Sequence, residues 1–287
     1  VSGIVTPARR RSRALSRLRA NPLAVAGAVA VGVFVLAALA APLLAPYSPI
    51  APDFDAVLAQ PSLAHWLGTD DLGRDQLSRI LFGLRASLQV GLLAVIGAAV
   101  IGIATGMFAG YYGGVIDMIA SRLTDALLAF PFLILAVGLA AILGPSLTNA
   151  TLAVAISLVP AFFRVARGEA LRLRGGEYVQ AAIASGSRPV TALAQHVLPN
   201  AASALIVQTT IAIPGAILAE AVLSFLGLGV QPPTPSLGTM LSAAQSFLYP
   251  APWMAVFPGL AIVALTLAFN VLGDGVRDAL DPKGDGR

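Results

Sequence analysis

Glu177-Tyr178-Val179-Gln180-Ala181-Ala182-Ile183-Ala184-Ser185-Gly186-Ser187-Arg188-Pro189 runs on through five further residues into Gln195-His196-Val197-Leu198-Pro199-Asn200. Residues 177–184 favour a short helix. Gly186 can take a left-handed backbone and end it. Ser187 can cap the next element, and Pro189 is tolerated only in the first turn of a second helix. Leu198-Pro199 then opens a longer helix at a position where a missing N–H costs nothing. Small residues at Ala181, Ala182, Ser185 and Gly186 let another backbone approach closely. On physical grounds alone, the segment suits either a docking surface for a partner chain or an ordinary interfacial connector.

Outward from this segment the chain is strongly apolar. Six apolar runs stand out: about Leu23–Ala45, Ala86–Gly110, Ile116–Leu143, Leu147–Phe163, Ala201–Leu226 and Trp253–Leu272. Crossing a bilayer takes roughly 20 apolar residues as a helix. Lipid offers no water to satisfy open backbone groups, so helices are expected. The runs are too long and too little alternating for a β-barrel. The third run is expected to be tilted or partly interfacial at its start. The first is longer than the core of a cleaved signal peptide, which spans roughly 7–15 residues.

Composition agrees with this reading. Of 287 residues, 57% are apolar and 11% charged, and the mean hydropathy is +0.84. Soluble domains carry about 25% charged residues. The chain has no cysteine, and its two histidines, His65 and His196, lie far apart. Disulfides and thiolate metal sites are excluded, and no metal centre is expected. The net charge of +4 does not call for nucleic acid, because in a membrane chain the placement of Lys and Arg matters more than their sum.

That placement sets an orientation. Arg9, Arg10, Arg11, Arg13, Arg17 and Arg19 precede the first run. Such clusters stay in the cytoplasm, and the bland reading of this one is topology plus anionic lipid heads. If six spans alternate, Arg122, Arg164, Arg167, Arg172, Arg174, Arg188, Arg277, Lys283 and Arg287 fall on the same side, making 15 of the 18 basic residues. Only Arg74, Arg79 and Arg85 fall outside. The expected organisation is a cytoplasmic basic segment (1–22), a first span (23–45), an extracytoplasmic segment with an amphipathic helix (46–85), a five-span core (86–275) and a cytoplasmic tail (276–287). Both termini are expected inside. No GxxxxGK[ST] phosphate loop is present, so any ATP would be bound by another chain.

The spacing Ala181-Ala182, three residues, Gly186, then Leu198-Pro199 after eleven more resembles the EAA signature of ABC importer permeases. Gln180 stands in place of the Glu, and His196 in place of an Ile. Glu177-Tyr178-Val179 ahead of it is similar to the peptide and nickel branch. Leu67-Gly68-Thr69-Asp70-Asp71-Leu72-Gly73-Arg74-Asp75 and Leu223-Ser224-Phe225-Leu226-Gly227-Leu228-Gly229, followed by Pro232 and Pro233, also resemble the C-type permeases of peptide importers. The resemblance implies an all-α membrane protein of six spans, with a cytoplasmic coupling helix between spans 4 and 5. It implies no catalysis in this chain. The expected partners are a homologous permease, two ATPase subunits carrying ATP and Mg, and an extracytoplasmic solute-binding protein. Glu177, Tyr178, Ala181, Ala182, Gly186, Leu198 and Pro199 become candidates for coupling to the ATPase.

Within the spans, Glu220 is the sole acid of the fifth. It lies 19 residues beyond Ala201, about 29 Å of helix, and is expected near the outer interface, solvated. Pro214-Gly215 is expected to kink that span. Pro214, Glu220 and Ser224 are candidates for the pathway or a gate. Leu77, Ile80, Leu81, Leu84 and Leu88 recur at helical spacing, so an amphipathic surface helix leading into the second span is expected, with Asp75 and Arg79 paired at i,i+4. Two other classes compete with this reading. An ion-driven secondary transporter needs ionisable groups near the membrane centre and often a repeat. An intramembrane serine enzyme could draw on Ser157 or Ser224, but no span carries a histidine to activate them.

The orientation is open to cysteine labelling in this naturally Cys-free chain. Gln60→Cys or Thr234→Cys is expected to react with an impermeant reagent from outside, and Arg172→Cys is expected to be protected. Labelling at 172 without labelling at 60 would reverse the topology.

Overall fold

The computed structural model describes residues 20–280, so the basic cluster at 9–19 and the tail basic residues Lys283 and Arg287 lie outside the described residues. The elements are α1 (Pro22–Leu39), α2 (Ala41–Leu44), α3 (Gln76–Tyr112), α4 (Gly114–Leu128), α5 (Phe132–Leu143), α6 (Leu147–Arg174), α7 (Glu177–Ala184), α8 (Pro189–Ala192), α9 (Leu198–Phe225), α10 (Leu237–Ala244) and α11 (Trp253–Leu280). No strand occurs among the described residues; a single β-bridge joins Thr69 and Asp75.

Among the described residues, five helical stretches are long and apolar enough to cross a membrane: α1, α3, α6, the run from Pro189 through α9, and α11. The pair α4–α5 supplies a sixth if counted as one span, but the two are bent by 92°. The expected third span, Ile116–Leu143, is therefore broken. Pro131, which lacks an N–H, stands immediately before Phe132 and ends the helical ladder there. At the other end, Gly113 and Gly114 both have positive φ, which lets the chain turn sharply from α3 into α4. Leu23, Val29, Val33, Leu36, Val100, Ile142, Val263 and Leu267 are exposed along the spans. Lipid accommodates such a surface, where water would not.

The bundle centres on α3 and α6. Gly102, Gly106 and Gly110 lie at four-residue spacing on one face of α3. A Cβ on them would sit 2.8 Å from the carbonyl oxygen of Val159, 2.4 Å from that of Phe163 and 2.6 Å from that of Arg167. The two backbones touch, and only hydrogen fits between them. Lipid removes the hydrophobic incentive for helices to associate, so close packing of small residues takes its place. Ala94, Val95 and Ala98 of α3 continue the contact with Ala150, Val154, Leu158 and Phe162 of α6 and with Ala212, Ala216 and Leu223 of α9. On the far side, α1 docks on α11. A Cβ on Gly27 would lie 2.6 Å from the backbone nitrogen of Leu272, and one on Gly275 would lie 2.3 Å from the Cβ of Ala24.

Two expectations about the second span are corrected. Its helix does not begin near residue 86 but at Gln76, and its first turns are not a surface amphipathic element. Ile80, Leu84 and Leu88 are buried against Ile217, Leu237, Met240 and Leu265. At 37 residues α3 is about 55 Å long, well beyond a bilayer core of about 30 Å. Its start stands inside a cap folded from residues 46–75. The Asp75–Arg79 pair does not form either. Asp75 caps α3 instead, its Oδ2 accepting from Ser78 N at 2.8 Å, while its Oδ1 lies 3.1 Å from His65 Nδ1. Arg79 reaches Asp70, with Nε 3.3 Å from Oδ2, and donates to the Pro49 carbonyl at 2.9 Å. The cause is competition: Asp70 is buried beside Arg79, and an N-cap carboxylate satisfies orphan backbone donors.

Gly106→Val is expected to cost about 1–3 kcal/mol or more, because the side chain must push α6 away from α3. Gly138→Ala, where an added Cβ meets nothing within 4 Å, is expected to be neutral or slightly stabilising. Thermal unfolding of the purified chain in detergent distinguishes them; equal melting temperatures would mean the α3–α6 contact is not close-packed.

Candidate functional site

The segment between α6 and α9 forms a short helix held by one face. Val179 of α7 is completely buried among Leu173 of α6, Ala192 of α8, Val197, and Ala201 and Leu205 of α9. Gln180 donates from Nε2 to the carbonyl of Arg174 at 3.1 Å. The other face is open: Glu177, Tyr178, Ala181, Ile183, Ser185 and Gly186 are exposed, and Ala182 is half-buried. Glu177 sits in the first turn of α7, where negative charge complements the helix dipole.

The C-terminus of α7 closes as the sequence predicts. Gly186 has φ +90°; its N–H donates to Ile183 O at 2.9 Å, and Ser187 N donates to Ala182 O at 3.0 Å. This is the paired bond pattern of a Schellman ending, which requires a left-handed residue at the Gly186 position. A Cβ there would meet nothing within 4 Å of this chain. Backbone conformation is thus the only demand this chain places on Gly186.

Beyond the turn, one local expectation changes and another holds with an addition. Ser187 does not cap α8. Arg188 occupies that position in extended conformation (ψ 144°) without a side-chain bond. The proline after it disfavours helical geometry for Arg188, so the start of α8 moves to Pro189. Leu198-Pro199 does open α9, but not from a free end. Helical chain already runs from Pro189, and residues Leu193–Val197 form a π-turn, with Leu198 N donating back to Leu193 O. Pro199 follows in the first turn of α9. A proline ring crowds the carbonyl four residues before it, and the wider π-turn relieves that crowding.

Basic side chains tie α6 to its neighbours beside this segment. Arg167 makes a two-point contact with Asp117 of α4, its Nη2 lying 2.8 Å from Oδ2. Arg164 reaches Asp125 at 3.2 Å. Arg174 donates to Gly110 O at 3.2 Å and Tyr111 O at 3.4 Å, which are carbonyls at the C-terminus of α3. A cation there meets both unsatisfied acceptors and the negative end of the dipole.

Of the other candidates, Glu220 and Ser224 lie near the C-terminal end of α9, whose N-terminal end packs on α7. Glu220 is not solvated at an interface but fully buried. Ser87 Oγ donates to its Oε2 at 2.6 Å, and Ser224 Oγ donates to its Oε1 at 2.7 Å. Ser224 Oγ in turn accepts from Val230 N at 3.1 Å. The carboxyl therefore staples α9 to α3 and holds the chain that follows α9. Distance along the helix misjudged it because α3, α10 and the 227–236 loop cover that end of α9. Glu220 and Ser224, four residues apart, could be paired from sequence; Ser87, 133 residues away, could not. Pro214 is buried inside α9, which is continuous from Leu198 to Phe225. Pro214 and Glu220 are therefore not brought into one site with the α7 segment. Among the described residues, no cluster of His, Asp or Glu suits a metal ion.

Glu220→Ala leaves two buried hydroxyls without their acceptor and is expected to cost about 1–3 kcal/mol. Glu220→Gln keeps one acceptor and is expected to cost less. Melting temperatures in detergent check the order; equal values for alanine and wild type would remove the staple.

Comparison with known proteins places this architecture. Residues 102–285 match the model of the binding-protein-dependent transport system inner membrane component family, and residues 10–61 match that of the N-terminal TM domain of oligopeptide transport permease C. The dipeptide transport system permease protein DppC of Alkalihalophilus pseudofirmus is 47% identical over 270 residues, covering 94% of this chain and 89% of the relative. The glutathione transport system permease protein GsiD of Pectobacterium atrosepticum is 47% identical, covering 89% and 87%. Among solved structures, an inward-facing conformation of the MetNI methionine ABC transporter aligns with a TM-score of 0.58 at 19% identity, over 71% of this chain and 96% of that one. An all-helical bundle of five to six apolar spans among the described residues, with a short exposed helix between α6 and α9, is therefore that of a transport subunit, and the chain belongs to the ABC permease family of binding-protein-dependent inner membrane components, in its oligopeptide permease C branch.

Proposed function

We propose that this chain is one of two permease subunits of an ATP-driven importer of di- or oligopeptides, with α7 as the cytoplasmic helix that couples it to an ATPase chain. The observation that carries the coupling role is the α7 segment itself: a two-turn helix exposed on one face and anchored on the other by buried Val179. Force applied to α7 reaches Leu173 of α6 and Ala201 and Leu205 of α9 through one packed cluster. Glu177, Tyr178, Ala181, Ala182 and Gly186 are the residues offered to the partner. Leu198 and Pro199 lie at the root of α9 and act by transmitting its movement. Hydrolysis of ATP with Mg belongs to the partner chains; a second permease completes the pathway, and a binding protein delivers solute from outside. The peptide assignment is supported by the names of the similar permeases, which handle dipeptides and glutathione.

An ion-driven carrier is the weaker reading. Both oxygens of Glu220 accept from serines, and the serine at Oε1 also holds a loop, so the group is a structural staple and not a free proton carrier.

Gly186→Val is expected to abolish peptide uptake while the subunit is still inserted. A β-branched residue at φ +90° is strained by roughly 1–2 kcal/mol, and its volume would stand between α7 and the ATPase. Gly144→Val is the control, since Gly144 has φ +86° with equally open surroundings but lies at the opposite end of the bundle. Uptake, inserted amount and co-purification of the ATPase are measured together. Wild-type uptake by an inserted, ATPase-bound Gly186→Val subunit would make the segment an ordinary connector.

A further inference from the structure

A cavity of about 490 Å³ opens at the end of the bundle opposite α7. Phe82, Arg85 and Gln89 of α3 form one wall, at the i, i+3 and i+7 positions of a single helix face. Ser146, ahead of α6, and Val230 and Thr234, of the 227–236 loop, close the others. The volume lies within the range of small-molecule sites, roughly 300–1,000 Å³.

Its charge is unusual for this end of the molecule. Three basic side chains belong here, and two are neutralised: Arg74 Nε lies 2.7 Å from Asp70, and Arg79 lies 3.3 Å from the same carboxylate. Arg85 makes no ion pair or hydrogen bond among the described residues, and no acid lines the cavity. The acid nearest in sequence to the opposite wall, Glu220, is committed to Ser87 and Ser224. That same staple fixes the wall, because Val230 N donates to Ser224 Oγ. A lone guanidinium therefore faces a held cavity that mixes an apolar ring, an aliphatic side chain, an amide and hydroxyls. A guanidinium offers a fork of donors matched to a carboxylate.

We propose that this cavity is a carboxylate-recognition site at the outer entry of the pathway, in which Arg85 receives the terminal carboxylate of a peptide released into the transporter. The assignment rests on the peptide-import reading above and names the residue that would give it selectivity. The apolar wall at Phe82 and Val230 takes side chains without demanding a sequence, while Arg85 demands the charge that every peptide with a free C-terminus carries.

The test uses the complete reconstituted transporter, with both permeases, the ATPases and a binding protein preloaded with peptide. Uptake per loaded binding protein is compared for a dipeptide and its C-terminal amide, in wild type, Arg85→Gln and Arg85→Lys. Wild type is expected to favour the free acid by roughly tenfold, the scale of one charge-assisted hydrogen-bonded contact. Arg85→Gln should bring that ratio close to one by slowing the free acid alone, and Arg85→Lys should retain part of it. An acid-to-amide ratio unchanged by Arg85→Gln, or an equal loss for both peptides, overturns the site while leaving peptide import standing. Absence of uptake of either peptide by wild type overturns the peptide reading, and the site with it.

Discussion

Three glycines on α3 let its backbone rest on the carbonyls of α6, and the remaining architecture is arranged around that contact. Gly102, Gly106 and Gly110 face Val159, Phe163 and Arg167 at distances where any side chain would collide with backbone. Water-soluble bundles can gather helices by hiding apolar surface, whereas lipid is as apolar as leucine and gives no such drive. Contact must therefore be dense to matter. Once α3 and α6 are fixed at this separation, Arg174 falls within reach of the carbonyls that end α3, and Arg167 within reach of Asp117 on α4. The ion pairs follow from the packing and need not produce it. Arg164 and Asp125, both exposed, add little by themselves.

The same economy appears at the opposite end. Glu220 would be costly alone in a buried position, since an uncompensated carboxyl loses its water. Here its two oxygens take one serine from α3 and one from its own helix. The second serine then accepts from the loop backbone at Val230. One side chain thus fixes two helices and a loop whose proline-rich sequence has few backbone donors of its own. Gly229 and Gly238 belong to this arrangement, since a Cβ on either would strike Ser224 or the Ala221 carbonyl.

What could be read from the sequence divides along a physical line. Periodicity and length reveal spans, since they depend only on the lipid solvent. Gly186 could be assigned a left-handed turn because the following Ser187-Arg188-Pro189 leaves few other ways to end a helix. Errors arose wherever a local rule met a distant partner. Asp75 and Arg79 have the right spacing to pair, yet Asp70 and the cap backbone outbid that contact. Leu84 and Leu88 resemble the apolar face of a surface helix, yet α9, α10 and α11 cover them. Ile116–Leu143 reads as one apolar run, because hydropathy carries no information about direction and Pro131 sits among residues that are apolar on both sides. The glycine ladder at 102, 106 and 110 was visible in the sequence, with the four-residue spacing of small residues that membrane helix contacts use; it is the one signal of the core that local reading passed over.

The two ends of the bundle differ in how firmly they are tied, and this difference gives the α7 segment its mechanical character. At the capped end, residues far apart in sequence are cross-linked: Trp253 donates to Thr69 O at 3.0 Å, Arg79 to Pro49 O at 2.9 Å, and Asp53 N to Leu72 O at 3.0 Å. Movement of one segment of that cap must break several such bonds together. At the α7 end, the exposed helix is joined to the bundle through Val179, the Gln180 amide and the backbone bonds of its own turn. Regions with few buried contacts open at lower free energy than the core. The π-turn at Leu193–Val197 lies directly between α8 and α9, at the point where a helix most readily changes its winding. In the coupling role proposed above, a push on α7 would pass through the π-turn and the buried cluster around Val179, Ala192 and Val197 into the close-packed α3–α6–α9 core.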